Sequence, residues 1–236
     1  GVGVSHPQYY FINNQNPALL VYNSINTAFQ AGLVMERRSI SNDTLSEKSQ
    51  GGNMNYLVTA FPIKPGKWTT SVGLMPYTSV NYRMQYSDYV TDRPEQVRIT
   101  EEGSGGLTQL YWSNGVRITK DLAVGVKAAY IFSSIVKSYK NQLYTSPEPV
   151  NYIAGIEEKS YVKDFMFGTG ISFSKDSLFR RNQYRLSFGA VYDFATNLSA
   201  TKTDRIFRTN TLGDTTDVSV LPSSKKGSFA IPAGVT

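Results

Sequence analysis

Few side chains in this chain are capable of chemistry. Its 236 residues include one histidine, His6, and no cysteine. The absence of cysteine excludes a thiol nucleophile, a disulfide framework and a thiolate metal site. His6 is the only imidazole that could act as a general base, and it lies in an irregular N-terminal segment without a strand to fix it.

The acids and glycines give no stronger catalytic signal. Glu101-Glu102 and Glu157-Glu158 are adjacent pairs, and neighbouring residues of a strand point to opposite faces, so neither pair forms an acid/base dyad. The glycine cluster at 103–106 lacks the Lys-Ser/Thr that a phosphate-binding loop requires. We therefore predict that the protein is not an enzyme and that it uses no metal and no cofactor.

Composition favours a folded, strand-rich protein. Aromatic residues make up 13% of the chain, and Tyr and Phe favour strands. The net charge is +6, but the basic residues form no stripe interleaved with aromatics, so no nucleic-acid partner is expected. No apolar run reaches 18 residues, so no transmembrane helix is predicted.

Apolar residues instead recur at every second position. Three runs show this best, namely 122–132, 161–173 and 184–194. Each has 11 to 13 residues, whereas strands of soluble proteins average about 5–6. A tilted membrane-spanning strand needs about 9–11 residues. The pattern therefore favours transmembrane β-strands.

The spacing of the predicted strands supplies a second pattern. We place nine strands, at 25–39, 53–64, 67–85, 105–118, 121–138, 159–175, 182–197, 212–221 and 227–236. Four connections between them are short, namely 65–66, 119–120, 176–181 and 222–226. The other four are long, namely 40–52, 86–104, 139–158 and 198–211. Strict alternation of short and long connections is typical of an antiparallel up-and-down outer-membrane barrel.

The predicted barrel assigns strand side chains to lipid or to the lumen, and connections to one side of the membrane. Apolar alternating side chains should face lipid, among them Tyr130, Phe132, Phe165, Phe167, Leu186 and Phe188, while Lys127, Arg185 and Asp193 should face the lumen. The short turns should be periplasmic. The acids of the long connections are expected to be solvated, with coordination of the cations that bridge lipopolysaccharide as the alternative.

The first 24 residues do not fit a wall strand. Positions 13–16 are consecutive polar amides, which hydrocarbon cannot satisfy. We predict that residues 1–24 form a hatch inside the barrel and that 25–236 form its wall. Asn16, Pro17 and Ala18 should anchor the hatch at the start of the wall, with Pro17 keeping this junction extended rather than helical. The residues expected to line a hydrophobic pocket are Tyr9, Tyr10, Phe11, Leu19 and Leu20.

Three stretches resemble a known family. Asn16-Pro17-Ala18, together with segments 57–82 and 118–126, is similar to the hatch and strand phrases of the FadL/OMPP1/TodX outer-membrane barrels, in a version found in Bacteroidetes. A weaker similarity links 7–10 and the same Asn-Pro-Ala to the PorP/SprF barrels of type IX secretion and gliding motility. The resemblance implies 14 antiparallel strands around an N-terminal hatch, of which this chain would hold about nine, an incomplete barrel.

Two functions follow as expectations. The first is passive uptake of hydrophobic small molecules across the bacterial outer membrane. The second is a non-transporting role as a partner in a type IX secretion or gliding complex, docking through loops or the outer wall. The expected partners are outer-membrane lipid and lipopolysaccharide, a hydrophobic ligand, and other outer-membrane or secretion-system proteins.

Overall fold

The computed structural model describes residues 2–41, 46–89, 95–144, 149–176, 184–210, 215–220 and 224–236. These residues form an all-β protein with two short 3₁₀ helices, Val2–Val4 and Pro17–Tyr22. The strands are β1 (Ala28–Ser41), β2 (Ser46–Lys64), β3 (Trp68–Tyr89), β4 (Gln96–Arg117), β5 (Leu122–Tyr144), β6 (Pro149–Asp176), β7 (Arg185–Asp193), β8 (Thr196–Asn210), β9 (Thr215–Val220), β10 (Lys225–Ile231) and β11 (Gly234–Val235).

All the strands belong to one antiparallel sheet. Strands β1 to β6 form a meander in which each pairs with the next. β7 and β8 pair with successive parts of β6, so together they occupy one position in the sheet. β9, β10 and β11 occupy the next position, against β8 and β7. The described strands therefore fill eight successive positions, and the sheet they form is not closed.

The prediction of an all-β antiparallel meander is confirmed. Short turns follow β2 at 65–67 and β4 at 118–121, as expected. Gly66 takes a φ of 72° in the first of these turns, a conformation that glycine adopts without steric cost. Most of the predicted connection 176–181, and residues 222–223 of 222–226, lie outside the described residues.

The prediction that the four long connections are loops is wrong. Most of 40–52, 86–104, 139–158 and 198–211 is strand rather than loop. The hairpin of β3 and β4, for example, remains paired as far as Tyr89 opposite Gln96. Their polar composition suggested loops, but cross-strand pairing continues through most of their length.

We call the half of the sheet away from the short turns at 65–67 and 118–121 the polar half. Ion pairs between its strands stabilise it. Glu102 accepts from Arg83 at 3.2 Å and from Lys140 at 2.6 Å, bridging β3, β4 and β5. β6 and β8 are joined by two further ion pairs, Glu157 with Arg205 at 2.8 Å and Glu158 with Lys202 at 2.7 Å. The hydrogen bond to Glu158 also raises the pKa of Lys202. These acids are paired with bases, rather than merely solvated as the sequence suggested.

The two faces of the other half of the sheet differ sharply. We call the face that packs against residues 2–23 the covered face, and the opposite one the bare face. On β5 the side chains of Ala129 and Ile131 are buried on the covered face, while Tyr130 and Phe132 alternate with them on the bare face. The other side chains assigned to lipid, Phe165, Phe167, Leu186 and Phe188, are also on the bare face, each at least half exposed.

The sheet curls around residues 2–23. A cavity of about 920 Å³ is lined by N-terminal residues, by Asn55 and Tyr56 of β2, and by Val191 and Asp193 of β7. β2 and β7 are five positions apart, ~24 Å in a flat sheet at about 4.8 Å per strand. Their lining of one cavity indicates that the covered face is concave. No helix among the described residues is long and apolar enough to cross a membrane.

The extended strands predict a hydrogen-exchange pattern. Amides in 96–104 and 153–160 should exchange slowly, at rates close to those of 105–117, because all three ranges are paired with a strand on each side. Hydrogen–deuterium exchange with mass spectrometry on the full-length protein in lipid measures this directly. Residues 24–27, which lie outside every helix and strand, provide the fast-exchanging control, and exchange of 96–104 as fast as 24–27 would contradict the extended sheet.

Candidate functional site

The N-terminal segment is built into the covered face rather than laid over it. The 3₁₀ helix Pro17–Tyr22 crosses β3, β4, β5 and β6. Its apolar side chains are removed from solvent, with Ala18, Leu20 and Val21 at 0% exposure and Leu19 at 1%. Residues of the segment thus form the core of the protein together with the covered face.

A helix here corrects the extended junction predicted from Pro17. Asn16 is the N-cap, and its side-chain oxygen accepts from the Ala18 N–H at 3.0 Å. Pro17 occupies the first helical position, where its fixed φ fits and where no N–H is required. Asn followed by Pro is therefore a helix start in this chain.

Asn16 uses every polar atom of its side chain and is completely buried. Its amide nitrogen donates to the Val4 carbonyl at 2.7 Å and to the Ile171 carbonyl of β6 at 3.0 Å. Its backbone N–H donates to the side-chain oxygen of Asn13 at 2.8 Å. Asn16 therefore links the first turn of the chain, the 3₁₀ helix and the sheet. The anchor lies in the middle of the sheet, not at the start of the wall as predicted.

Glycines in three adjacent strands make room for this segment. Gly115, Gly125 and Gly170 lie side by side on β4, β5 and β6. A Cβ on Gly115 would lie 2.5 Å from the Pro17 carbonyl oxygen, and one on Gly125 or Gly170 would overlap the backbone of Pro17 or the side chain of Asn16. We call these three residues the glycine row. Only glycine allows two backbones to approach so closely.

A second set of contacts holds the rest of the segment. The Tyr111 hydroxyl donates to the Asn14 side chain at 2.7 Å, and the Gln30 side chain donates to the Tyr10 carbonyl at 2.9 Å. Asn23 donates from its side chain to the carbonyls of Tyr9 and Phe11 at 3.1 and 3.3 Å. Of the consecutive amides at 13–16, Asn13, Asn14 and Asn16 thus have polar partners within the protein, whereas Gln15 is exposed.

The predicted pocket residues fall into two groups. Leu19 and Leu20 are packing residues with no exposed surface to offer a ligand. Tyr9, Tyr10 and Phe11 are 52%, 86% and 61% exposed. Of the five, Phe11 lines the cavity of about 920 Å³, where Lys127 and Asp193 also lie, on the side predicted for them. The ammonium of Lys127 is 4.9 Å from the centre of the Tyr111 ring.

The groups considered for catalysis are placed apart from one another or are already paired. His6 is exposed at the rim of the same cavity. Glu101 accepts from the Tyr86 hydroxyl at 2.9 Å, and Glu102 is held by Arg83 and Lys140. Within the described ranges, no three acidic or imidazole side chains come together as a metal site would need.

Neither the glycine row nor Asn23 was predicted from the sequence. Their signal was present, because a glycine within a strand pattern marks close approach by another backbone. Gly125 lies within the clearest alternating run, 122–132. What the sequence could not supply was the register that aligns it with Gly115 and Gly170.

A comparison with protein-family models identifies the family of this chain. The model of the BamG family matches residues 1–235. The chain belongs to the BamG family. BamG is a family of outer-membrane proteins associated with the BAM complex, and this BamG-family chain is accordingly a protein of the bacterial outer membrane. No curated protein and no solved structure matches it.

The BamG match overturns the earlier resemblance. Assignment to the FadL/OMPP1/TodX family, or to the PorP/SprF barrels, is wrong, and so are the two functions drawn from them, hydrophobic uptake and partnership in type IX secretion or gliding. One of the motifs that suggested them, Asn16-Pro17-Ala18, is a helix start lying against glycines. Such a short motif reflects local packing and does not identify a family.

The glycine row predicts a sharp response to one added methyl group. Gly125→Ala should destabilise the folded protein by ~1–3 kcal/mol, because Pro17 and Ala18 must move away from β5. The temperature at which the folded band converts to the unfolded band on electrophoresis measures this. Gly51→Ala is the matched control, since its Cβ would meet no atom within 4 Å. Equal conversion temperatures for both variants would refute the role of the row.

Proposed function

We propose that this chain is a non-enzymatic, membrane-spanning wall that serves as an accessory component of the BAM complex. The observation that carries the proposal is the BamG match over residues 1–235. Association of this chain with BAM proteins is inferred from the family. No uptake of solutes is part of the proposal.

The bare face supports a membrane-spanning role. Its apolar band runs from Leu122 to Phe132 on β5 and from Phe173 to Phe165 on β6. On β5 the ten residue steps from 122 to 132, at about 3.4 Å each, give ~34 Å along the strand, which a tilt of about 40° reduces to ~25 Å of height. That is the apolar height of outer-membrane barrels. We therefore propose that the curled sheet is part of a barrel, with its short turns on the periplasmic side.

The covered face supports a structural role. A segment fixed by the buried Asn16 and by backbone contact with three glycines does not leave without breaking several buried hydrogen bonds. Such a wall keeps its shape, and a rigid outer surface is what an accessory component offers a larger assembly. The exposed His6 and the paired acids support the absence of catalysis.

If the bare face contacts lipid, the loss of stability caused by a charged side chain on that face depends on its depth in the membrane. Phe167 lies near the middle of the apolar band, and Phe167→Lys should cost ~2–4 kcal/mol and lower the amount of folded protein in the outer membrane. Phe188, opposite Phe173 and nearer the short turns, should tolerate lysine better. Gln85→Lys, in the polar half, is the control. If Phe167→Lys is as stable as Gln85→Lys, the bare face does not meet lipid.

Association with the BAM complex has its own test. Affinity-tagged full-length protein, purified from outer membranes in mild detergent, should bring the BAM subunits with it in near-equal amounts. Gly125→Ala should reduce this recovery in proportion to its loss of folded protein, because the wall must fold before it docks. Recovery of the protein without BAM subunits would contradict the proposal.

A further inference from the structure

The bare face carries a cavity at the level where its apolar band ends. The cavity has a volume of about 540 Å³ and lies between β5, β6 and β8. Aromatic rings line one part and hydroxyl groups line another, and Lys163 lies among them. An apolar wall, a ring of hydroxyls and one ammonium match the parts of a lipid whose acyl chains meet its headgroup.

Strand register explains why these groups meet. Phe132, Lys163 and Ser199 are direct neighbours across β5, β6 and β8. The next row contains Ser134, Tyr161 and Thr201. Paired residues of an antiparallel sheet share a face, so two consecutive rows place all six side chains around one opening.

A local irregularity opens the cavity. Ser133 lines it with a φ of 134°, the one positive φ among the non-glycine residues described. Pairing of β4 with β5 is interrupted there, between Gly105 opposite Ile135 and Thr108 opposite Phe132. Strained residues of this kind persist where the surrounding structure fixes them and are frequent at ligand sites.

The charge around the cavity is positive. Lys226 lies opposite Thr201 and extends the second row, and the Lys159 ammonium lies 4.8 Å from the centre of the Tyr161 ring. Asp164 places one carboxylate beside the cavity, where it accepts from the backbone N–H and the hydroxyl of Ser199, and the three lysines Lys159, Lys163 and Lys226 outnumber it. Glu157 is paired with Arg205. In the described part of the chain, neither Lys163 nor Lys226 has a carboxylate partner.

We propose that this cavity binds a phosphate of lipid A, the membrane anchor of lipopolysaccharide, from the outer leaflet. Lys163 and Lys226 donate to the phosphate, the hydroxyls of Ser134 and Thr201 donate beside them, and the acyl chains lie along Phe165 and Phe167. This rests on the proposed membrane-spanning function, because only that function puts the cavity at the outer surface. Ammonium–phosphate hydrogen bonds are strong in such a partly dehydrated place.

Lipid binding to the full-length protein tests this assignment. The protein in phosphatidylcholine nanodiscs is titrated with bisphosphorylated lipid A, and bound lipid is counted by native mass spectrometry. The double variant Lys163→Gln with Lys226→Gln should bind at least about ten-fold more weakly. Lys64→Gln with Lys175→Gln, which removes two exposed lysines near the short turns, should bind as the wild type does. Dephosphorylated lipid A should bind weakly, and equally to the wild type and to the double variant Lys163→Gln with Lys226→Gln.

Three results would overturn the site. They are unchanged affinity in the double variant, an equal loss in the control pair, and binding of dephosphorylated lipid A as tight as that of the phosphorylated form. Recovery of BAM subunits is measured with the same variants. If recovery is normal and the lipid result is negative, the lipid site alone fails. If wild-type protein recovers no BAM subunits, the proposed function fails whatever the lipid result.

Discussion

The close approach of Asn16, Pro17 and Ala18 to the backbone of three neighbouring strands is the contact on which the rest of the structure depends. It requires glycine at 115, 125 and 170, because a side chain at any of them would occupy the space of the segment. It also requires hydrogen-bond partners for the buried polar groups next to the glycine row, which Asn16 supplies with its amide. Leaving those groups unpaired would cost about 1–3 kcal/mol each.

This contact determines the character of both faces. Since residues 2–23 supply the apolar partners for the concave side, the sheet acquires a core without a second sheet. The other face keeps its aromatic side chains exposed, among them Phe165 at 55% and Phe167 at 54%. Such a surface is stable in a bilayer, and the outer-membrane location of the BamG family agrees with it.

Much of the fold could be predicted from sequence because alternation is a local property. The pattern Leu122–Phe132 assigned β5 and its two faces correctly. The ends of the strands could not be predicted, because residues 86–89 and 96–104 contain only two aliphatic side chains, Val97 and Ile99, too few to show alternation. They remain in the sheet through cross-strand pairs such as Glu102 with Lys140. Those pairs depend on register, which no single strand contains.

The site was predictable only in part, for a related reason. The run of amides at 13–16 indicated burial against polar partners, and Asn16 is completely buried. Its true partner, the Ile171 carbonyl, is 155 residues away in the chain. The family was assigned wrongly from short motifs in 16–18, 57–82 and 118–126. The first of them, Asn-Pro-Ala, is explained by helix capping in any fold.

The chain contains no cysteine, so a cysteine pair gives an unambiguous test of where the N-terminal segment lies in the membrane-embedded protein. Ala18 and Ala123 pack together on the covered face, whereas Ala128 points to the bare face. In outer membranes from cells, full-length protein with Ala18→Cys and Ala123→Cys should form an intramolecular disulfide on mild oxidation. It should still bring the BAM subunits with it. Ala18→Cys with Ala128→Cys should not cross-link. Absence of the first cross-link, or equal cross-linking of both pairs, would contradict the placement of the segment on the covered face.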